Sequence, residues 1–533
     1  MRFYPVGLDA LLVELASLDE ALALFAALQQ KPISGMREVV PAARTLLVYF
    51  RPSAVSREAL AAQIARRDLS GQVRESGKRI EIPVHYNGED LDDVARLLGL
   101  SVQDVIQRHT ACDYAVAFCG FAPGFAYLSG GAQFVVPRRA TPRTRIPAGA
   151  VALAGEFSGI YPQASPGGWQ VIGVTDAKMW DLHRDEPALL QPGYRVRFVD
   201  AGPRSETAIS VAVPDTPAES AASKSHLEIL APGLQTLLQD LGRTGFAGQG
   251  VSASGAMDQG ALRAANRAVG NPAETACLEV LLGGLSVICH GSAVMAVTGA
   301  ESRIEVRTAT GEVLHPPLYT PFVLQDGDQL SIEAPTAGLR NYLAVRGRFL
   351  RDPVLGSLST DTLAKVGPAP IAAGDRLGFE GRVGGAAVSI SEAPSFDSPR
   401  STDTIVLDVL MGPRSDWFTA DAQALLAEQL WQVSPQSNRI GIRLLGEQSL
   451  QRAVPGELPS EGTAVGAIQV PPNGQPVLFL ADHPLTGGYP VIGVIAPHHL
   501  ALAGQIPVNA QIRFNPLDVF TPVQPASAQG IQD

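Results

Sequence analysis

Four arginines stand within nine residues, Pro137-Arg138-Arg139-Ala140-Thr141-Pro142-Arg143-Thr144-Arg145. A guanidinium is a planar fork of donors, so this run is either a solvated loop or a cradle for a carboxylate or phosphate. Upstream lies Gly120-Phe121-Ala122-Pro123-Gly124-Phe125-Ala126-Tyr127-Leu128. Such a loop is stiff, exposes backbone N–H groups and can lay a ring beside a ligand; equally, it can turn a barrel corner. A second cluster comprises Gln239-Asp240-Leu241-Gly242-Arg243, Ser254-Gly255-Ala256-Met257-Asp258, Asn266 and Glu279. Asp258 also reads as the cap of the helix that follows. A third comprises Ser460-Glu461-Gly462, Gln469-Val470-Pro471-Pro472, Asp482 and Thr486-Gly487-Gly488-Tyr489. Polar residues set in strands of an apolar chain must be paired or line a cavity. Residue type and spacing alone name no reaction here.

Several familiar sites are excluded. None of the five lysines sits in a G-x-x-x-x-G-K-[ST] loop, and no H-E-x-x-H, G-x-S-x-G or S-x-x-K occurs. His498-His499 is a weak metal signal and reads as exposed. Gly248-Gln249-Gly250-Val251-Ser252-Ala253 fits a loose dinucleotide fingerprint but lacks the strand and βαβ context that give it meaning.

The elements that position these clusters are mostly strands. The chain has 533 residues, which predicts about three or four domains. Hydrophobic residues make up 46% and charged residues 17%, a globular composition, and 53 Gly with 41 Pro lean towards β structure rich in turns. A net charge of −11 argues against nucleic acid and anionic membrane as partners. Four cysteines do not make a disulfide scaffold, and there is neither a signal-peptide layout nor an apolar run of membrane-spanning length. A cytoplasmic protein is the expectation.

The fold class expected is mainly β with α+β. Residues 1–85 alternate strand and helix as β-α-β-β-α-β, closing on a strand at 79–86, which suggests a ferredoxin-like unit. Helices at 91–98 and 102–109 follow, the second capped by Ser101, and residues 86–204 then read as a compact β-barrel. Residues 205–224 form the linker candidate. Two further β-rich units are expected at 225–400 and 401–522, with helices near 258–269 and 420–430. Pro166-Gly167-Gly168-Trp169-Gln170-Val171-Ile172-Gly173-Val174 recurs as Thr486-Gly487-Gly488-Tyr489-Pro490-Val491-Ile492-Gly493-Val494. Similar strands flank each copy, so two regions look like copies of one barrel. The Gly-Gly pair suits a tight turn or a close backbone approach to a ligand.

Together the strings are specific. Tyr114 to Leu128, Pro137-Arg138-Arg139, Pro142-Arg143, Pro147-Ala148-Gly149, Gly159-Ile160-Tyr161-Pro162 and Ser165-Pro166-Gly167-Gly168-Trp169 resemble the B subunit of 5-oxoprolinase, also called allophanate hydrolase subunit 1 or the Kip-type kinase inhibitor. The second and third clusters resemble the C subunit of the same enzyme, or allophanate hydrolase subunit 2. The resemblance spans about 1–205 and 225–520 and implies cyclophilin-like barrels, one in the first part and two in the second. It implies an ATP-dependent component that phosphorylates the oxygen of 5-oxoproline, a separate A subunit that adds water, and Mg²⁺ beside ATP. It carries a binding role to His109, Gly120, Phe121, Pro123, Gly124, Phe125 and Tyr161, and to Ser165, Gly167, Gly168 and Trp169. In the second part that role falls to Gln239, Ser254, Met257, Asn266 and Gln469, with Thr486, Gly487, Gly488 and Tyr489. Under it, Arg138, Arg143 and Arg243 are expected to meet anions, and Asp240, Asp258, Glu279 and Glu461 to meet Mg²⁺ or the lactam N–H. Homo-oligomerisation is compatible with this reading. The alternatives are the carboxyltransferase part of a urea carboxylase and a non-catalytic regulator of a histidine kinase. Arg348 departs from an expected glycine and is expected to alter a turn.

Overall fold

Ala10–Glu14 and Thr45–Phe50 are apolar on both faces, and both are central strands of one antiparallel sheet, ordered Arg2–Val6, Ala10–Glu14, Thr45–Phe50, Met36–Pro41. One face is covered by helices Leu18–Gln30 and Arg57–Ala65, through Leu24, Leu28, Leu60 and Ile64. The other face, with Leu12, Val40 and Leu47, packs against Ala467, Phe479 and Val494 near the C-terminal end of the chain. Two-sided burial is therefore what the continuous apolar pattern encodes. The computed structural model describes residues 1–69, 77–131, 134–139, 141, 143–203, 225–381, 388–389 and 392–526. The linker expected at 205–224 lies outside them.

The expected ferredoxin-like closure is corrected at one strand. Arg79–Val84 does not join the N-terminal sheet; Arg2–Val6 takes that edge beside Ala10–Glu14. Arg79–Val84 instead pairs in parallel with Arg195–Asp200 in a seven-stranded sheet that also holds Tyr114–Cys119, Ala126–Ser129, Phe157–Ile160, Ala150–Ala154 and Gln170–Val174. Two backbone bonds between His85 and Val174, 2.8 and 2.9 Å, join the sheet's outer strands. Helices Leu91–Leu98 and Val102–Ala111 flank this barrel, the second opened by a capping box of Ser101 and Asp104.

Residues 226–380 form a seven-stranded and a five-stranded sheet around a core that includes Leu278, Val287, Val297, Leu343 and Leu377. Helix Gln259–Val269 lies on Ala293–Gly299 and Arg340–Val345 through Leu262, Ala265 and Val269. Arg348 does not disturb the turn: Gly347 adopts φ +105°, and Arg348 lies in a strand opposite Glu380. Residues 404–516 form a closed barrel whose first and last strands, Thr404–Met411 and Gln511–Pro516, again pair in parallel. The sequence repeat has a structural meaning. Gln170–Val174 lies beside Ala150–Ala154, and Val491–Ile495 lies beside Ala467–Gln469, each in its own barrel.

Candidate functional site

The first and third clusters meet. The hydroxyl of Tyr127 lies 3.2 Å from Thr486 Oγ1 and 3.4 Å from Ser460 Oγ. Gly120 lies under Thr486, where a Cβ would come within 2.7 Å of its side chain. Arg138 reaches across to donate to Ser460 Oγ (3.2 Å) and to the carbonyls of Leu458 and Gly488 (3.5 Å each), while its own N–H meets Glu457. Behind this seam Phe121, Phe125, Tyr127, Tyr161 and Trp169 stack edge to face with centroids 5.1–6.2 Å apart. The loop's aromatics are thus largely a packed floor, with Phe125 and Tyr161 fully buried.

The second cluster touches the same loop. Gly124 N–H donates to Gln249 O, and Gly250 sits so close to Ala122 O that a Cβ there would lie 2.5 Å from it. From Gly250 the chain runs to Ser252, which bonds Asp361, and to Ser254, which bonds Asp482 at 2.6 Å. The Gly-Phe-Ala-Pro-Gly-Phe loop thus packs on residues 249–250, and a few residues further along the same stretch the Gln-Asp-Leu-Gly-Arg segment pairs with it, Arg243 N–H donating to Ala253 O and Ala256 N–H to Asp240 O.

Next to that stretch the structure builds a buried charge network between the last two β units. Arg439 bridges Glu279 and Asp482, with Nε and Nη2 at 2.8 and 2.9 Å from the Asp482 oxygens, and also donates to Gly255 O. Glu279 additionally accepts from Tyr342 OH (2.7 Å) and Met257 N–H (3.0 Å), with Arg340 at 3.6 Å. Burial opposes ionisation of Asp482, but Arg439 outweighs it and holds the carboxyl below its usual range. Asp361 goes the other way: burial first, then the charge of Asp482, pushes it up to about 6. Arg243 is 3% exposed and bonds Ser359 O through Nη2, leaving Nε and Nη1 without a partner among the described residues. Gln239, wholly buried, gives its amide to Thr360 O, and its Oε1 has no partner among the described residues. Orphaned buried donors are costly, and the charges of Asp361, Asp240 and Asp482 bear on this guanidinium.

The remaining expected ligands have other employment. Arg143 forms two 2.7 Å bonds to Asp90, which Arg139 also contacts. Burial would raise Asp90; the Arg143 and Val171 N–H bonds reverse this and keep it ionised. Arg143, Glu89, Asn87 and Thr175 edge an open cleft of about 260 Å³ on the first barrel. Ser165 and Gly167 lie in a short strand paired with Arg143–Ile146, and Gly168 O accepts from Arg139. His109 sits in the barrel core between Tyr86 OH (2.7 Å) and Ser158 Oγ (3.1 Å), stacked on Phe198. Asn266 bonds Thr275 O and Asn271 at the helix C-terminus. Gln469 donates to Tyr489 O, and Met257 fills the core of the last barrel.

The carboxylates expected at Mg²⁺ do not fit it in this arrangement. Asp240 accepts from Ser357, Ser359, Gly242 N–H and Leu358 N–H. Asp258 caps its helix at Ala261 N–H (2.8 Å) and accepts from Gln505 (3.0 Å). Glu461 is clasped by Arg414 at 3.0 and 3.1 Å, and Glu279 by the network above. Nor do the three arginines form one cradle: Arg138 spans the seam to Ser460, Arg143 clasps Asp90, and Arg243 lies apart beside Ser359. Arg439, Arg340, Tyr342, Asp361, Arg414 and Gln505 are not legible as site residues in the sequence, since their partners lie far away along the chain.

Residues 1–190 match the carboxyltransferase domain, subdomain C and D, and residues 249–516 match the carboxyltransferase domain, subdomain A and B. The chain is 37% identical over 297 residues to the C subunit of 5-oxoprolinase from Escherichia coli K12, covering 54% of this chain and 90% of that one. It is 39% identical over 209 residues to the B subunit of 5-oxoprolinase from Escherichia coli O157:H7, covering 37% of this chain and 95% of that one. The crystal structure of TTHA0988 superposes with a TM-score of 0.79 at 33% identity, over 95% of this chain and 99% of that one. With both kinds of subunit matched in succession, the chain belongs to the carboxyltransferase-domain family that includes the B and C subunits of 5-oxoprolinase, and it joins the two in one polypeptide.

Proposed function

We propose that this chain supplies the B and C components of an ATP-dependent 5-oxoprolinase, activating 5-oxo-L-proline for ring opening to L-glutamate by a separate A subunit. The observation that carries the reading is Arg243, buried in the C-subunit-like part near Asp482, with two N–H donors unpartnered among the described residues. The relatives are subunits named for that enzyme. A five-membered lactam is held by amide resonance and re-forms easily, so its hydrolysis needs an energy source. ATP, as co-substrate, supplies the phosphoryl group that turns the lactam oxygen into a leaving group. Arg243 holds the substrate carboxylate as a charge-assisted pair. Asp361, with its carboxyl near 6, is the group able to take or return a proton close to neutral pH.

The test is reconstitution with an A subunit already shown to be active with another B–C pair. ATP and 5-oxoproline should then give glutamate and ADP. Arg243→Met should raise KM for 5-oxoproline by about tenfold to a hundredfold, the worth of a charged hydrogen bond. No turnover would overturn the reading. Carboxybiotin-dependent turnover of a urea-like compound would replace it with the carboxyltransferase reading, and tight histidine-kinase binding without ATP use with the regulatory one.

A further inference from the structure

Away from the junction, three side chains converge on the seven-stranded sheet of the middle β unit. His226 and His290 are directly opposed partners on adjacent antiparallel strands, His226–Pro232 and Leu285–His290. Glu228 lies two residues beyond His226 and so projects from the same face. The imidazole rings stack with centroids 4.4 Å apart, and His290 Nε2 lies 2.9 Å from Glu228 Oε2. One ligand atom from each residue lies within 4.8 Å of the other two.

We propose that His226, Glu228 and His290 bind a divalent cation of the zinc class. A tetrahedral zinc site needs ligand atoms about 3.3 Å apart, given metal–nitrogen bonds of about 2.0–2.1 Å. Side-chain rotation covers the difference, because the strand register already fixes the backbones. Two imidazoles with one carboxylate select zinc, cobalt or nickel over magnesium or calcium, which take oxygen ligands. The side chains of His290 and Glu228 are 36% and 34% exposed, so an ion can enter and water can complete its shell. One neighbour opposes the cation: Arg376 stands directly across from Glu228 in the next strand, with its charge bearing on His226. The site is therefore tuned below its full affinity.

A second cluster, Asp408 with His498 and His499, is the natural control. There one His499 nitrogen already accepts Asp408 N–H at 2.9 Å, and Asn515 and His498 occupy the two carboxylate oxygens.

The experiment strips the full chain with chelator and titrates Zn²⁺ against a chromophoric competitor, with Co²⁺ absorption as a second readout. One Zn²⁺ per chain is expected. His290→Ala and Glu228→Gln should each weaken it at least about tenfold, Arg376→Ala should tighten it, and His498→Ala should leave it unchanged. Metal-free melting curves of the variants should overlay that of the parent chain, separating lost binding from lost fold. Absence of binding at micromolar Zn²⁺, binding unchanged by His290→Ala, or binding abolished by His498→Ala would each overturn the site.

Discussion

Gly488 and Arg138 meet so closely across the seam between the two subunit-like parts that a Cβ at 488 would lie 1.9 Å from Arg138 Nη1. Glycine at the second Gly-Gly turn is thus a condition for seating that guanidinium. Gly488→Ala should push Arg138 off Ser460 and the Leu458 carbonyl, costing about 1–3 kcal/mol for charged hydrogen bonds in a half-buried place. Urea unfolding should show the loss. Adding Arg138→Ala to Gly488→Ala should cost less than the sum of the two single changes, because both remove one interaction.

The Arg439 network predicts a larger effect. Arg439→Ala strands Glu279 and Asp482 as buried carboxylates, and breaking such a pair costs about 3–5 kcal/mol. Thermal melting should fall sharply. Arg439→Met combined with Asp482→Asn should recover part of the loss, since Asp482 is then neutral and Arg340 still faces Glu279 at 3.6 Å.

Two buried groups give stability opposite pH dependences. His109 has its value lowered to about 3 from 6.5 by burial, so the unfolded chain takes the proton first and stability is lost as pH falls through that window. Asp361 is raised to about 6 from 3.8, so the folded chain binds the proton first and stability is gained as pH falls from about 6 towards 4. Asp361→Asn should therefore make denaturant stability decline more steeply on acidification than in the parent chain. An unchanged slope would show that Asp361 keeps an ordinary carboxyl.

Thiol chemistry should single out one cysteine. Burial pushes Cys119 up to about 12 and Cys289 up to about 11, and Cys277 is fully buried as well. Cys112 is only half-buried. A thiol-titrating reagent near neutral pH should report about one group per native chain and all four in denaturant, because only an accessible thiolate reacts.

Local patterns make most of the elements legible in the sequence. The amphipathic runs at 18–29 and 258–269 appear as Leu18–Gln30 and as Gln259–Val269 capped by Asp258. The repeated Gly-Gly-aromatic strings mark equivalent strands in two barrels. The strand Arg2–Val6 escapes such reading because Pro5 sits in it, a residue tolerated only at an edge, which is where the strand lies. At the site, glycine and aromatic positions are legible because backbone geometry demands those residue types. The charges are not. Arg439, Arg340 and Arg414 look like surface residues until strands distant in the chain bring Glu279 or Glu14 to them. The same blindness misplaces Arg143 and Glu461, whose partners Asp90 and Arg414 satisfy them inside the protein.

The parallel seams have a consequence for how the polypeptide is made. In the first barrel Arg79–Val84 must wait for Arg195–Asp200, and in the last Thr404–Met411 must wait for Gln511–Pro516. Neither cylinder can shut while the ribosome is still delivering its final strand, so each nascent barrel carries an open flank for most of its synthesis. Premature termination just short of either closing strand would leave a sticky, half-rolled sheet that invites a neighbour's chain into the gap.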